Sequence, residues 1–224
     1  MSTMILHILS LSALAQARSN PCATVNVEAN FNLTEFVTGE GSGTDGTWFA
    51  HEMMAITYLP SSWFYCVTAN YTFTGTANEI HVSNYANKGE VNGKVEQSDK
   101  NVPFGGICGT VNDPSQPAKL SVGPCKLPPH LPGARGAYWV VAAGPNADRY
   151  EWALVSGGQP THASKEGKGC RTGTGINGSG LWIFLRSSVR DDDTINMVRG
   201  LAAAQGFDLS VLKNVTHNSC TYAQ

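Results

Sequence analysis

The stretch Gly46-Thr47-Trp48-Phe49 decides how the rest of the chain is interpreted. It follows the turn-forming run TGEGSGTD at 38–45 and opens a strand-like segment that extends to residue 59. A tryptophan at the start of a first strand is consistent with a plug at the base of a barrel, and equally with an ordinary core residue. Its meaning depends on what the far end of the chain offers it as a partner.

The composition favours a packed globular core. Hydrophobic residues make up 42% and charged residues 14% of the 224 residues, and the formal net charge is −2. This length is enough for one domain of moderate size or one all-β barrel. Because no basic run stands out, we expect no nucleic acid as a partner.

The N-terminal segment has the features of a secretory signal. Residues 4–15 are mostly apolar, and Ala15-Gln16-Ala17 has the small-residue pattern of a cleavage site. We therefore predict a signal peptide at 1–17, followed by an N-terminal arm at 18–45, and a secreted, extracellular protein.

The cysteines and the sequons agree with secretion. An even number of cysteines behind a signal peptide predicts three disulfides: Cys22, Cys66, Cys108, Cys125, Cys170 and Cys220. Two of them, Cys108 and Cys125, flank the turn 112–116 nearly symmetrically and are well placed to pair, while spacing alone leaves the other pairings open. We expect some but not all of the N-x-S/T sequons to carry glycans: Asn32, Asn70, Asn177 and Asn214.

The segment 66–74 carries the clearest strand pattern in the chain. Apolar residues alternate there with polar ones, which is typical of a half-buried antiparallel strand. The apolar set, expected to point inward, is Val67, Ala69, Tyr71 and Phe73. Further strand-like segments, separated by turn signals, lie at 78–85, 90–97, 107–111, 118–122, 137–143, 150–156 and 181–186. This order of short strands favours an all-β barrel over an α/β unit.

One helix is predicted after the last clear barrel strand. Asp191-Asp192-Asp193 supplies caps and favourable charge for its start, and Gly206 is a suitable stop. The apolar residues expected on one face of this helix are Ile195, Val198, Leu201 and Ala202. A short ninth strand is expected at 207–215.

No pattern points to catalysis, to a metal or to a cofactor. The histidines of the mature chain lack metal-binding spacing such as H-x-H, and no G-x-S-x-G is present. The stretch 173–178 matches G-x-G-x-x-G, but a loop precedes it and a strand follows it, so we predict no dinucleotide site. We therefore predict no catalytic residue, no metal and no cofactor.

Three regions resemble the lipocalin family, and most closely its apolipoprotein D and bacterial lipocalin branch. Gly46-Thr47-Trp48-Phe49 resembles the first-strand G-x-W motif. Ala147-Asp148-Arg149 stands where the family has T-D-Y and matches at the aspartate. Leu181 to Arg186 (LWIFLR) resembles the last-strand region that ends in arginine. Further similarity to apolipoprotein D lies at 66–71, 117–120, 138–141 and 218–220.

The resemblance implies an all-β fold over residues 46–224. This fold is an eight-stranded antiparallel up-and-down β-barrel with one C-terminal α-helix. Arg186 is expected to pack across Trp48 at the closed end in a cation–π contact. Gly46, Trp48 and Arg186 therefore form the expected structural base. The resemblance also implies the disulfide Cys66–Cys220.

The remaining two disulfides follow less directly. The family suggests that Cys22 pairs with a cysteine after the seventh strand, for which Cys170 is the nearest candidate. Cys108–Cys125 is then left, and it rests on the hairpin argument given above.

The function implied by the resemblance is binding and transport of a small hydrophobic ligand, such as a retinoid, steroid, fatty acid, lipid or pigment. A barrel of eight strands has an interior just large enough for one such molecule. Each candidate contact can also be simple core packing. The predicted ligand-binding residues are Val67, Ala69, Tyr71, Phe73, Ile80, Val82, Trp182 and Phe184.

The alternatives to a carrier are a lipocalin-type enzyme and a surface-interaction module. A lipocalin-type enzyme acting on a lipid or carotenoid needs a free cavity thiol or an added Cys-rich domain, and we expect neither. A surface module would instead touch lipoproteins or membranes in transient contacts at the barrel mouth. The residues expected to be exposed there are Trp63, Phe64, Leu127 and Leu131.

Overall fold

The computed structural model describes residues 22–98, 104–128, 131–165 and 167–222. The signal peptide predicted at 1–17 lies outside these ranges. Within them, the helices are α1 (Leu33–Thr38) and α2 (Asp192–Ala204). The strands are β1 (Trp48–Met54), β2 (Tyr65–Phe73), β3 (Glu79–Lys88), β4 (Lys94–Gln97), β5 (Ile107–Val111), β6 (Lys119–Pro124), β7 (Gly136–Asn146), β8 (Arg149–Ser156), β9 (His162–Ala163), β10 (Cys170–Arg171), β11 (Leu181–Leu185) and β12 (Leu212–Asn214).

Eight antiparallel strands close into a barrel, which confirms the predicted fold. Neighbouring strands follow the order β1, β2, β3, β5, β6, β7, β8 and β11, and β11 pairs back to β1 with Phe49 opposite Leu185. Closure pairs both edges of the sheet. β4 pairs with the second half of β3, and β12 is a short strand that pairs with the end of β1.

Alternation along the strands separates an interior core from an exterior one. On β11, Trp182 and Phe184 belong to the buried cluster around Trp48 inside the barrel. The intervening Ile183 and Leu185 belong to a second cluster, between the barrel and α2. Successive side chains of a strand point to opposite faces, so one strand supplies both cores.

The helix α2 covers the exterior core. Asp191 caps its first turn, and its buried residues are Ile195, Val198 and Ala202. Leu201 is exposed, so its predicted place on the buried face is wrong. Adjacent residues of a helix are separated by about 100° around its axis, which turns Leu201 away from the barrel while Ala202 faces it.

The N-terminal arm contains a helix that the sequence did not reveal. The side chain of Asn32 caps α1, and Gly39 ends it with a positive φ of 65°. Phe36 and Val37 of this helix are buried in the interior cluster. A helix of 6 residues shows almost no periodicity, and its stability depends on tertiary packing.

Three disulfides are present, and no cysteine in the described ranges is free. They are Cys22–Cys170, Cys66–Cys220 and Cys108–Cys125. The first two tie the N-terminal arm and the C-terminal tail to the barrel. No helix in the described part of the chain has the length and apolar character needed to span a bilayer.

Candidate functional site

The closed end of the barrel is built on Trp48 and Arg186. The Arg186 guanidinium carbon lies 3.7 Å from the Trp48 ring centroid. Its Nη2 donates to the carbonyl oxygens of Glu35 and Phe36 at 2.8 and 3.0 Å. Gly46 has a φ of 82°, and a Cβ there would lie 2.3 Å from the Val37 carbonyl oxygen, so a side chain would not fit.

Burial costs the Arg186 guanidinium part of its hydration and lowers its pKa to about 10. The nearby Glu35 opposes this effect and favours the charged form. At neutral pH the side chain is therefore cationic, with its donors directed at backbone carbonyl groups of α1 and of the strand ends.

Aromatic rings fill the space above this base. The Phe36 ring centroid lies 5.0 Å from that of Trp48 and 5.5 Å from that of Tyr71. Phe31 meets Phe36 edge-on at 5.2 Å, and Phe184 lies 6.3 Å from Trp48. These distances are typical of favourable aromatic pairs, so the lower part of the interior is a packed floor.

Most of the predicted ligand-binding residues lie on the inner wall. The buried members of the interior cluster among them are Val67, Ala69, Tyr71, Ile80, Val82, Trp182 and Phe184. Phe73 differs, because 47% of its surface is exposed. β1 begins at Trp48, which pairs with Ala69, so no β1 residue flanks Phe73 at the end of β2. Phe73 pairs with Ile80 and lies on the same face, but it is not buried, so its contact with a ligand stays a prediction.

The polar centre of the interior is a pair of tyrosines. The hydroxyl oxygens of Tyr71 and Tyr138 lie 2.6 Å apart, and the Tyr138 ring lies 6.3 Å from Trp182. Burial raises the pKa of Tyr71 to about 12 and that of Tyr138 well above its usual value. Both hydroxyls therefore stay protonated at neutral pH.

A third tyrosine enters from the loop that follows β1. Tyr58 lies in a tight turn closed by the backbone pairing of Ile56 and Leu59. Although 47% of its surface is exposed, burial raises its pKa to about 12. It also makes a small contribution to the raised pKa of Tyr71 and of Tyr138.

Sequence reasoning missed Tyr138 and Tyr58. The strand alternation at 137–143 places Tyr138 and Val140 on one face, and this was the available signal. Tyr58 lies in a turn, where periodicity gives no direction.

A segment of the loop before β11 crosses the open end. Residues 173–179, which we call the strap, connect three loops there. The Thr174 carbonyl oxygen accepts from the backbone N–H of Thr57 at 2.9 Å and from its hydroxyl at 2.6 Å. The Asn177 amide donates to the carbonyl oxygen of Gly133. The strap therefore restricts access to the interior.

The expected mouth residues are distributed differently from the prediction. Phe64 is buried in the interior cluster, so its predicted exposure is wrong. The Trp63 ring is covered by the Lys88 ammonium, 3.9 Å from its centroid. Leu127 is partly buried, and Leu131 is exposed.

Two clefts lie outside the barrel, beside α2. The larger, about 470 Å³, is lined by Lys168, Phe207 and Leu209 among others. The smaller, about 230 Å³, lies between Val141 and Gln205. Neither contains a residue of the interior cluster, whose side chains pack on one another.

Solved structures share this fold at low sequence identity. Apocrustacyanin C2 is 15% identical, with a TM-score of 0.55 over 90% of this chain and 93% of its own. Insecticyanin from the tobacco hornworm Manduca sexta is 16% identical, with a TM-score of 0.52 over 90% of each chain. The cockroach allergen Per a 4 is 14% identical, with a TM-score of 0.52 over 88% of this chain and 96% of its own.

No protein-family model and no curated protein matches the sequence. The structural likeness therefore establishes the fold, a closed eight-stranded barrel with a C-terminal helix, and it agrees with the fold that the lipocalin resemblance implied.

Proposed function

We propose that this protein is a secreted member of the lipocalin family that binds and carries a small hydrophobic ligand in its barrel. The observation that carries the proposal is the inner wall, which is apolar and aromatic around one buried pair of tyrosine hydroxyls. The driving force is desolvation of the ligand, and the hydroxyls set its orientation.

The same proposal includes that the protein is secreted and that it belongs to the apolipoprotein D branch of the family. Three disulfides suit an oxidising compartment. Cys66–Cys220 and Cys22–Cys170 join the positions that the resemblance to apolipoprotein D suggested. The sequons at Asn70 and Asn214 lie on strands at the barrel surface and support a glycoprotein.

An enzymatic role is less well supported. A lipocalin enzyme with a cavity nucleophile needs a free thiol, whereas every cysteine in the described residues is in a disulfide. Those residues also contain no group of three or more acidic, histidine or cysteine side chains suited to a metal ion.

Tryptophan fluorescence tests the carrier function. Retinol, a fatty acid and a steroid are titrated into the protein and into two variants. Trp182 lies in the interior cluster, whereas the Trp139 ring is covered by the Lys119 ammonium, 4.8 Å from its centroid. We expect saturable quenching that Trp182→Phe reduces and Trp139→Phe preserves. Absence of saturable quenching by every probe would argue against a carrier.

Transient contact with a lipid surface is a second candidate function. Large apolar side chains are exposed on loops of the open end: Tyr58, Phe104, Leu131 and Ile176. Such groups can enter the interface of a bilayer during ligand transfer. Ile176→Ser is expected to weaken binding to phosphatidylcholine vesicles without lowering ligand affinity. Val189 has the same 74% exposure after β11, at the closed end, and Val189→Ser is the matched control.

A further inference from the structure

Within the described residues, the barrel interior offers hydrogen bonds but no unmatched charge. Arg135, whose buried Nε has no partner, lies outside the barrel, because its Nη1 donates to Thr110, which alternates with the interior Val111. The fully buried acids and the Arg186 guanidinium have fixed partners. Glu52 forms ion pairs with Arg190 and Arg199 on the outer side of β1. Asp208 accepts the hydroxyl and the backbone N–H of Ser210, also outside the barrel.

The two charged groups at the closed end are matched as well. Arg186 directs its donors to backbone carbonyl oxygens and its guanidinium face to the Trp48 ring. The Glu35 carboxylate accepts the backbone N–H groups of Gly41, Ser42 and Tyr150. An anion in the barrel would find these donors already engaged, with the aromatic floor between it and the guanidinium.

The described residues of β3 and β4 near the open end add no free charge to the inner wall. Lys88 and Glu96, on the last part of β3 and on β4, form an ion pair at 2.6 Å. The Lys88 ammonium also lies over the Trp63 ring. On β3 itself, Asn84 pairs with the inward-facing Ala69, so the polar side chain it adds to the wall is a neutral amide.

The tyrosine pair retains a proton for a ligand. Two phenols carry two hydroxyl protons, and the single bond between Tyr71 and Tyr138 uses one of them. The other proton is available to an acceptor. A carbonyl, ester or hydroxyl oxygen satisfies this donor, whereas a carboxylate would also need a counter-charge.

We infer that the barrel selects an electrically neutral, mainly apolar ligand with one hydrogen-bond-accepting oxygen, and that it discriminates against the carboxylate form of the same molecule. This inference rests on the proposed carrier function. The accepting oxygen meets the Tyr71–Tyr138 pair, and the apolar body lies along Trp182 and the aliphatic wall.

Methyl retinoate and retinoic acid form the decisive pair of probes, because they share the ring and polyene chain and differ only in the methyl ester, which cannot ionise, against the carboxylic acid, which is ionised at pH 7.5. Binding retinoic acid in its neutral form would cost its protonation, up to about 1000-fold in affinity at this pH. We expect methyl retinoate and retinol to bind at least about 30-fold more tightly than retinoic acid.

Tyrosine variants test where the oxygen binds. The double variant Tyr71→Phe/Tyr138→Phe should lower the affinity for methyl retinoate about 5- to 10-fold, the size expected for one hydrogen bond, whereas each single variant keeps one hydroxyl proton and should lower it less. None of these variants should change the affinity for diphenylhexatriene, an apolar polyene without oxygen. Tyr65, outside the interior cluster, provides the control Tyr65→Phe. Thermal melting of each variant confirms that it is folded.

The outcomes separate the two proposals. Equal or tighter binding of retinoic acid would overturn the selection for neutral ligands and leave the carrier function standing. Loss of diphenylhexatriene and methyl retinoate affinity in equal measure would remove the hydrogen-bonding role of the tyrosines. If none of the four probes binds, the carrier function itself is contradicted.

Discussion

His51 and His217 lie ring against ring, with centroids 4.9 Å apart, between β1 and the C-terminal tail. His217 Nε2 lies 2.8 Å from the Ala50 carbonyl oxygen and must donate to it, so its Nδ1 accepts from the Tyr222 hydroxyl at 2.8 Å. His51 Nε2 in turn donates to the Ser187 carbonyl oxygen at 2.8 Å. The tail is thus held to the barrel by two neutral imidazoles as well as by a disulfide.

Acid should release this arrangement. Burial, and to a smaller extent the neighbouring His51, lowers the pKa of His217 from 6.5 to about 4. The native state therefore binds fewer protons than the unfolded state between these values. The neutral His217 therefore stabilises the fold fully above pH 6.5. As the pH falls to about 4 this contribution is lost, which lowers the free energy of unfolding by about 3 kcal/mol.

Urea unfolding from pH 7.5 to 4 measures this dependence. His217→Gln should flatten the change in unfolding free energy across that range, whatever it does to the stability at pH 7.5. The exposed His162 supplies the control, because His162→Gln should leave the slope unchanged. A wild-type free energy that does not fall below pH 6.5 would contradict the assignment.

We expect the Trp48–Arg186 contact to contribute to the stability of the fold and much less to ligand binding. Trp48→Ala removes a fully buried ring and exposes a buried cation to a cavity, with an expected loss of about 3–5 kcal/mol. Trp63→Ala removes a partly buried ring with a similar cation contact and should cost about 1 kcal/mol or less. Thermal melting compares them, and an unchanged melting temperature with lost ligand binding in Trp48→Ala would reverse this division of roles.

The strap should slow ligand exchange. Thr57→Val removes the hydroxyl that donates to Thr174 and keeps the side-chain shape. We expect ligand dissociation to become several-fold faster, in line with the loss of about 1 kcal/mol of hydrogen bonding, with little change in melting temperature. Stopped-flow displacement of retinol measures the rate. Thr76→Val, in the closed-end turn after β2, should leave the rate unaltered.

The sequons should differ in use. Asn214 is exposed on β12, whereas Asn32 caps α1 through Glu35 and donates its amide to the Ala147 carbonyl oxygen at 2.9 Å. We expect a glycan at Asn214 and none at Asn32. Enzymatic deglycosylation in ¹⁸O water marks each occupied asparagine by mass spectrometry, and a label at Asn32 would contradict the prediction. Asn32→Ala should cost about 1 kcal/mol of stability, and Asn214→Gln almost none.

Local sequence patterns predicted a residue's position correctly where that position depended on a single strand or on one end of a helix. Period-two alternation placed Val67, Ala69 and Tyr71 inside the barrel, and the aspartates before α2 marked its start. The same reasoning gave the face of Phe73 but not its exposure, because β1 does not extend far enough to cover the end of β2. It misjudged Leu201, which the 100° step of the helix turns away from the barrel.

The tyrosine pair shows why the rest of the candidate site could not be predicted from the sequence. Tyr71 and Tyr138 are 67 positions apart, on β2 and β7, and they meet across the barrel. Their contact depends on closure, on the register of each strand pair and on bulges such as the one between Val140 and Ala142. Periodicity reports the face on which a side chain lies and carries no information about its partner on the opposite wall.

The sequence by itself determined the all-β barrel with its late helix and the alternation that makes the inner wall apolar, because these depend on local periodicity and on short-range capping. The contact between Trp48 and Arg186 was predicted from the resemblance of a few motifs to lipocalins, and no periodic pattern in the sequence predicted it. Only the tertiary structure decided that the Tyr71 and Tyr138 hydroxyls bond to each other, that the strap bonds to the loop after β1, and that the buried Glu52 pairs with Arg190 and Arg199. Those features arise when closure brings distant segments together and removes them from water, which makes each polar group depend on partners far away in the chain.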